Sequence, residues 1–270
     1  MHYNTYDPSP ELNPVIKCYW TIDSPREETP QKQRIVPDGC MEMIFHYGDL
    51  YKQYIDGQGV IQPRACVFGQ LTAPLEIEPT GITGIFSVRF HPEGFMPFAT
   101  IPIKAFENKA VSLETVFGEE GIQLESRVLG TKNTEEKIKI VEAFLLDKLA
   151  HKDTRDRIVS AALSTILEGN GQLSVEELSL QMSINRRQLE RRFADTIGLS
   201  PKQLSKIIRL QAALKLLLSK QYNRLTDLAY EGDYYDQAHF IKDFKEFTGL
   251  SPKDFYNENS KMSALFHGSD

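Results

Sequence analysis

The chain has 270 residues, 41% of them apolar, with 31 basic and 37 acidic side chains and a formal net charge of −6. That length and apolar content allow two domains with real cores, and the acidic total by itself argues against nucleic acid as a partner. Cys18, Cys40 and Cys66 form no CxxC pair, which excludes a disulfide framework and fits a reducing compartment.

The opening residues, MHYNTYDPSPELNP, hold no apolar h-region, so a cytoplasmic protein is expected. No apolar run reaches the roughly 18 residues of a membrane span, so no membrane partner is expected. Residues 1–110 then read as short strands. VIKCYW (15–20), MEMIFHY (41–47), KQYID (52–56), RACVF (64–68), 75–79 and ITGIFSVRF (82–90) are rich in β-branched and aromatic residues. PDG, YGD, GQG, QP and PTG separate them with turn chemistry. In 82–90, Ile82, Gly84, Phe86, Val88 and Phe90 share one face, while Thr83, Ile85, Ser87 and Arg89 share the other. Strands of this length and spacing predict an antiparallel barrel or sandwich.

After His91 the pattern turns helical. EGFMPFAT and SLETVFG predict short helices. Residues 134–149 form an amphipathic helix with Ile138, Val141, Phe144, Leu145 and Leu149 on one stripe. Residues 157–169 form another, closed by Gly169 and Gly171. No Pro/Ser-rich tether separates the halves.

The charge is unevenly placed. Residues 1–150 carry 14 basic and 21 acidic side chains, whereas 185–224 carry 10 basic and 2 acidic. Such asymmetry marks a face for a polyanion. The same region contains an internal repeat: FADTIGLSPKQL (193–204) matches FKEFTGLSPKDF (244–255) at an offset of 51, with GLSPK identical. In the first copy Ser174 and Glu177 predict a capping box. Ser183, Ile184 and Asn185 make a turn and cap a helix over 186–196, Gly198 ends it, and Ser200–Pro201 opens the next. Helix, short turn and helix make a helix-turn-helix, whose second helix enters a major groove. At 100° per residue, Leu189, Phe193 and Ile197 point inward; Arg187, Arg191 and Ala194 point outward, beside Glu190 and flanked by Arg186 and Arg192. Arginine reads guanine edges bidentately or holds phosphates; the plain alternative is a solvated charged face. In the second copy Phe240, Phe244 and Phe247 point inward, Ala238, Lys242 and Lys245 outward, and Gln237 and His239 to the sides. Residues 225–260 carry 3 basic and 8 acidic side chains, which weakens the case for phosphate binding by this copy. A long helix at about 201–219, apolar at Leu204, Ile207, Ile208, Leu210, Ala213, Leu214 and Leu217, is wide enough to pack on both units. Two recognition helices roughly 34 Å apart would reach successive major grooves.

At LSLQMSINRRQLERRF, IGLSPKQL, IRLQAALKLLL, LAYEGDYYDQAHFIKDF and TGLSPKDFY, over about 170–257, the sequence resembles the AraC/XylS family of bacterial transcription regulators. The family usually has Gly-Phe where this chain has Gly232–Asp233–Tyr234. The resemblance implies base contacts from Arg187, Glu190 and Arg191 in the first unit and from Gln237, Ala238, His239 and Lys242 in the second. RIVPDGCMEMIF (34–45) and SVRFHPEGFMPF (87–98) resemble a cupin-like β-barrel found ahead of such domains. The implied architecture is α+β: an N-terminal antiparallel β-barrel over 1–130, linker helices over 131–170, a double helix-turn-helix over 171–258 and a tail over 259–270. The implied function is sequence-specific DNA binding under control of a small-molecule effector or partner at the N-terminal domain, with double-stranded DNA, RNA polymerase and a second copy of the chain as partners. No cofactor and no catalytic residue is expected, since GxSxG, P-loop and GxGxxG motifs are missing.

Three rivals stand beside it. A metal-dependent or ligand-binding cupin-like protein, its helical domain mediating protein interaction, needs converging ligands; His46 with Glu42 and His91 with Glu93 are the candidates, and no HxH exists. A redox sensor needs an activated Cys40 or Cys66. A protein-interaction module would use 134–169 as a dimer seam.

Overall fold

The computed structural model describes residues 1–149, 156–218 and 237–258. Ten strands and two 3-10 turns come first, then helices. The strands are β1 (His2–Tyr6), β2 (Ile16–Ser24), β3 (Gln33–Ile35), β4 (Glu42–His46), β5 (Tyr51–Ile55), β6 (Gln58–Ile61), β7 (Ala65–Phe68), β8 (Leu75–Pro79), β9 (Thr83–Phe90) and β10 (Ala110–Ser112). They build two antiparallel sheets rather than one closed ring, in the orders β1-β2-β9-β4-β7-β10 and β3-β8-β5-β6. The expected β-rich half followed by helices is therefore present, as a two-sheet sandwich.

Alternation decides what each strand buries. In β9 all eight residues are buried, because β2 and β4 pair on its two edges and both faces are covered. Phe86, Val88 and Phe90 join Tyr19, Met43 and Phe45 in a core on the helix-facing side. Ile85 faces the other way and joins Trp20, Ile22, Tyr51 and Ile77 between the sheets. The two-face reading of 82–90 holds from Thr83 onward; Ile82 lies just outside the strand and is 62% exposed.

The helix-facing core is closed by α1 (Leu113–Phe117), α2 (Glu119–Gly130) and α3 (Thr134–Leu149), and by 3-10 turns at Met96–Phe98 and Ile103–Phe106. Phe95 meets Phe90 and Phe106 edge to face, the geometry that aromatic quadrupoles favour. The α3 stripe packs as expected: Val141 and Leu145 are fully buried, and Ile138, Phe144 and Leu149 lie against them. Lys137 is buried too, its ammonium 4.1 Å from the centre of the Tyr47 ring.

The second core is helical: α4 (Arg157–Glu168), α5 (Val175–Gln181), α6 (Arg186–Thr196), α7 (Pro201–Leu218), α8 (Gln237–Thr248) and α9 (Pro252–Glu258). Val159, Ala162, Leu163 and Ile166 place α4 in this core. One residue of the sandwich, Val36, belongs to it as well.

Candidate nucleic-acid interface

Side chains fix the ends of the first helix pair. Ser174 accepts from the Glu177 amide at 3.2 Å and the Glu177 carboxylate accepts from the Ser174 amide at 2.8 Å, a complete capping box. Ser183 turns the chain with φ of 54°. Asn185 caps α6 by accepting from the Gln188 amide at 2.9 Å. Gly198, at φ of 85°, ends it. Ser200 Oγ accepts from the Gln203 amide at 3.2 Å, and in the second copy Ser251 Oγ accepts from the Asp254 amide at 3.2 Å. The repeated GLSPK is thus a helix stop followed by a capped start.

Leu189, Phe193 and Ile197 are fully buried, which turns the opposite face of α6 outward. There Arg187 and Arg191 are exposed, one turn apart, and make no ion pair with the described residues. Ala194 between them and the core is half-buried. Their neighbours are engaged. Arg186 bonds Glu176 at 2.7 Å and Glu190 at 2.8 Å. Arg192 bonds Asp156 at 2.5 Å, and Asp156 also caps α4 through the Ile158 and Val159 amides. Of the four arginines, two are tied within the fold and two stand free.

In α8, Phe240, Phe244 and Phe247 are buried, while Ala238, Lys242 and Lys245 are exposed, as the wheel predicts. The side chains of Gln237 and His239 lie outside the described residues. The acidity of this copy has a partly internal explanation. Asp243 is 1% exposed and bonds Lys206 of α7 at 3.0 Å, with Arg209 at 4.0 Å. Glu246 bonds the same ammonium at 3.0 Å, and Arg209 donates to the Gly171 carbonyl at 2.8 Å. These two carboxylates fasten α8 to α7 and do not add to a repulsive outer face.

α7 serves as the expected spacer. Leu204, Ile207, Leu210, Ala213 and Leu214 are fully buried and Ile208 is partly so. The side chain of Leu217 lies outside the described residues.

A helix-turn-helix domain model matches residues 178–258. The C-terminal third is an AraC-type helix-turn-helix domain. A second model, a domain of unknown function (DUF6597), matches 4–112. An uncharacterized HTH-type transcriptional regulator of Haemophilus influenzae is 33% identical over 102 residues, which cover 37% of this chain. The chain spans about a third of that relative's length (34%). Solved structures similar to it include ToxT from Vibrio cholerae, at 12% identity and TM-score 0.48 over 88% of this chain and 98% of that one. The C-terminal domain of AraT, a response regulator from Geobacillus stearothermophilus, is 25% identical with TM-score 0.37 over 39% and 88%.

The rival sites come out as follows. Glu42 and His46 share one face of β4, but Glu42 accepts from Ser87 at 2.9 Å and lies 3.7 Å from Arg89. His91 Nε2 sits 3.2 Å from the Asn13 carbonyl. Among the described residues, no three His, Cys, Asp or Glu side chains gather at metal-binding distance. Burial pushes the Cys66 thiol up to about 12, which removes the thiolate a redox role needs. No described helix is long and apolar enough to cross a membrane.

Proposed function

We propose that this protein is a sequence-specific DNA-binding transcription regulator, with α6 and α8 as recognition helices and the sandwich as the control domain. The observation that carries this reading is the pair Arg187 and Arg191. Both are exposed and unpaired on the outer face of a helix whose inner face, start and stop are fixed. Leaving two guanidiniums without carboxylates costs nothing in water, and it presents two forked donors to a groove at once. Arg187 and Arg191 then read base edges, with Glu190 accepting from a cytosine amine. Arg186 and Arg192, on the flanks, hold phosphates. In the second unit Gln237, Ala238, His239 and Lys242 face the bases and Lys245 the backbone. RNA polymerase and a second copy of the chain are the macromolecular partners such a role calls for. An effector or partner at the sandwich sets how the helical domain meets DNA.

The test is the salt dependence of binding to duplex DNA. Log affinity should fall linearly with log salt, with a slope of about −0.9 per neutralised phosphate. Arg186→Ala and Lys245→Ala should each lower that slope by about one. Binding that is absent at low salt, or flat with salt, would remove DNA as the ligand.

A further inference from the structure

The two sheets do not close on each other completely. Between them lies a cavity of about 90 Å3, walled by Trp20, Ile44, Phe68, Ile77 and Ile85 and carrying polar groups at both ends. At one end are Asp38, Glu42 and Arg89; at the other are His46 and Gln62. Glu42, Ile44 and His46 reach it because alternate residues of β4 share a face.

Charge at the first end is out of balance. Among the described lining residues, two carboxylates, Asp38 and Glu42, face one guanidinium, Arg89, and there is no lysine. Arg89 is already bonded to Asp38 and lies near Glu42. Burial, the largest cause, holds the Glu42 carboxyl up at about 7 despite bonds from Ser87 and Trp20, so near pH 7 it is only partly ionised. A cationic head beside it would draw it into the carboxylate form and complete an ion pair, whereas an anionic head would meet these carboxyl groups with Arg89 already engaged by Asp38. His46 supplies no charge: burial and the nearby Arg64 bring its imidazole down to about 4, so it is neutral at pH 7.

The cavity wall is also the contact with the helical domain. Val36, Asp38 and Cys40 line the cavity, and Val36 is packed in the helical core. The Pro37 carbonyl accepts from Gln211 of α7 at 2.6 Å. Gly39, with φ of 78°, lies so near α7 that a Cβ there would be 3.0 Å from Leu204. Gln70 holds the Gly39 carbonyl from the other side at 2.9 Å. One stretch of five residues therefore touches the cavity through Val36, Asp38 and Cys40 and the helical domain through Val36, the Pro37 carbonyl and Gly39.

We infer that this cavity takes a small amphipathic amine, with an apolar body between the sheets and a protonated nitrogen at Asp38 and Glu42, and that occupancy reaches the DNA-binding helices through Val36–Cys40 and α7. The inference rests on the reading of the chain as a regulator and assigns its control site. A ligand that prefers one position of this wall shifts the position of α7, and DNA bound to the shifted domain shifts ligand affinity in return.

Trp20 is the only tryptophan of the chain and lines the cavity, so its emission reports occupancy. The full chain is titrated with 4-phenylbutylamine and, separately, with 4-phenylbutyrate. The amine should give a saturable change in Trp20 emission. The carboxylate should bind about tenfold or more weakly, a factor equal to about 1.4 kcal/mol. DNA affinity is then measured with and without the amine. It should change in the native chain and change less in Gln211→Ala, whose Trp20 titration should stay as in the native chain. Equal or tighter binding of the carboxylate overturns the ligand class. No saturable response to either compound overturns the site. Amine binding that leaves DNA affinity untouched overturns the coupling. A chain that binds no DNA at all sinks the regulator reading, while the Trp20 titration still decides the site.

Discussion

Arg186 and Arg187 are adjacent on α6 and have different work. Arg186 lies between Glu176 and Glu190, while Arg187 projects free. Arg187→Ala should therefore cost about 1–3 kcal/mol on the preferred site and relax one base position, seen by comparing affinities across single-base variants. Equal loss on every sequence would make it a phosphate contact instead. His46 gives a second expectation. Its folded pKa of about 4 lies below the ordinary 6.5, so folding favours the neutral ring. Its contribution is whole above about pH 6.5 and is lost as pH falls toward about 4. The groups facing it, Gln62, Arg64 and the Tyr51 ring, supply no carboxylate to hold a proton there. Thermal melts from pH 7 down to 4.5 should show a steeper loss for the native chain than for His46→Gln; parallel profiles would point to another group. Which arginines face outward was legible from helical period alone. Which of them stand free was not, because Glu176 and Asp156 are 10 and 36 residues away from their partners.

At the scale of elements, the cap and the buried pair differ in what they hold. Asn185→Ala removes one bond at the start of α6 and should cost about 1 kcal/mol of stability in urea unfolding. Asp243→Ala leaves the Lys206 and Arg209 charges without their buried partner, so about 3–5 kcal/mol is expected. That substitution should also loosen α8 on α7 and weaken a DNA site that needs both units more than one that needs α6 alone. A cost for Asp243→Ala no larger than for Asn185→Ala would show that packing, not the ion pair, sets the angle. Strands with alternating apolar residues were readable from the sequence. HYNTY was not, since β1 is an edge strand whose five residues are all exposed or half-exposed and whose order comes from pairing with β2. QGVI failed for the same reason: β6 is fully exposed at the other sheet's edge. The pairing of Asp243 with Lys206 was not legible, because nothing local reveals a lysine 37 residues earlier.

Across the whole molecule, directed contacts among the described residues join the two cores. Besides the Val36–Cys40 wall, Ser160 of α4 donates to Glu93 at 3.0 Å, and a Cβ at Gly198 would be 2.9 Å from Ile103. The division of the chain into a strand-rich and a helical half was plain from composition. The cavity was not, since its walls come from alternate residues of seven strands and from the segment between β3 and β4. The central claim, that two helix-turn-helix units read DNA, is tested most directly by selecting a random duplex library on the full protein at moderate salt and sequencing what is retained. The account predicts enrichment of a site with two short boxes about one helical turn apart, with Arg187→Ala degenerate in one box only. A retained pool with no common sequence, at any salt where the protein still binds, would contradict it.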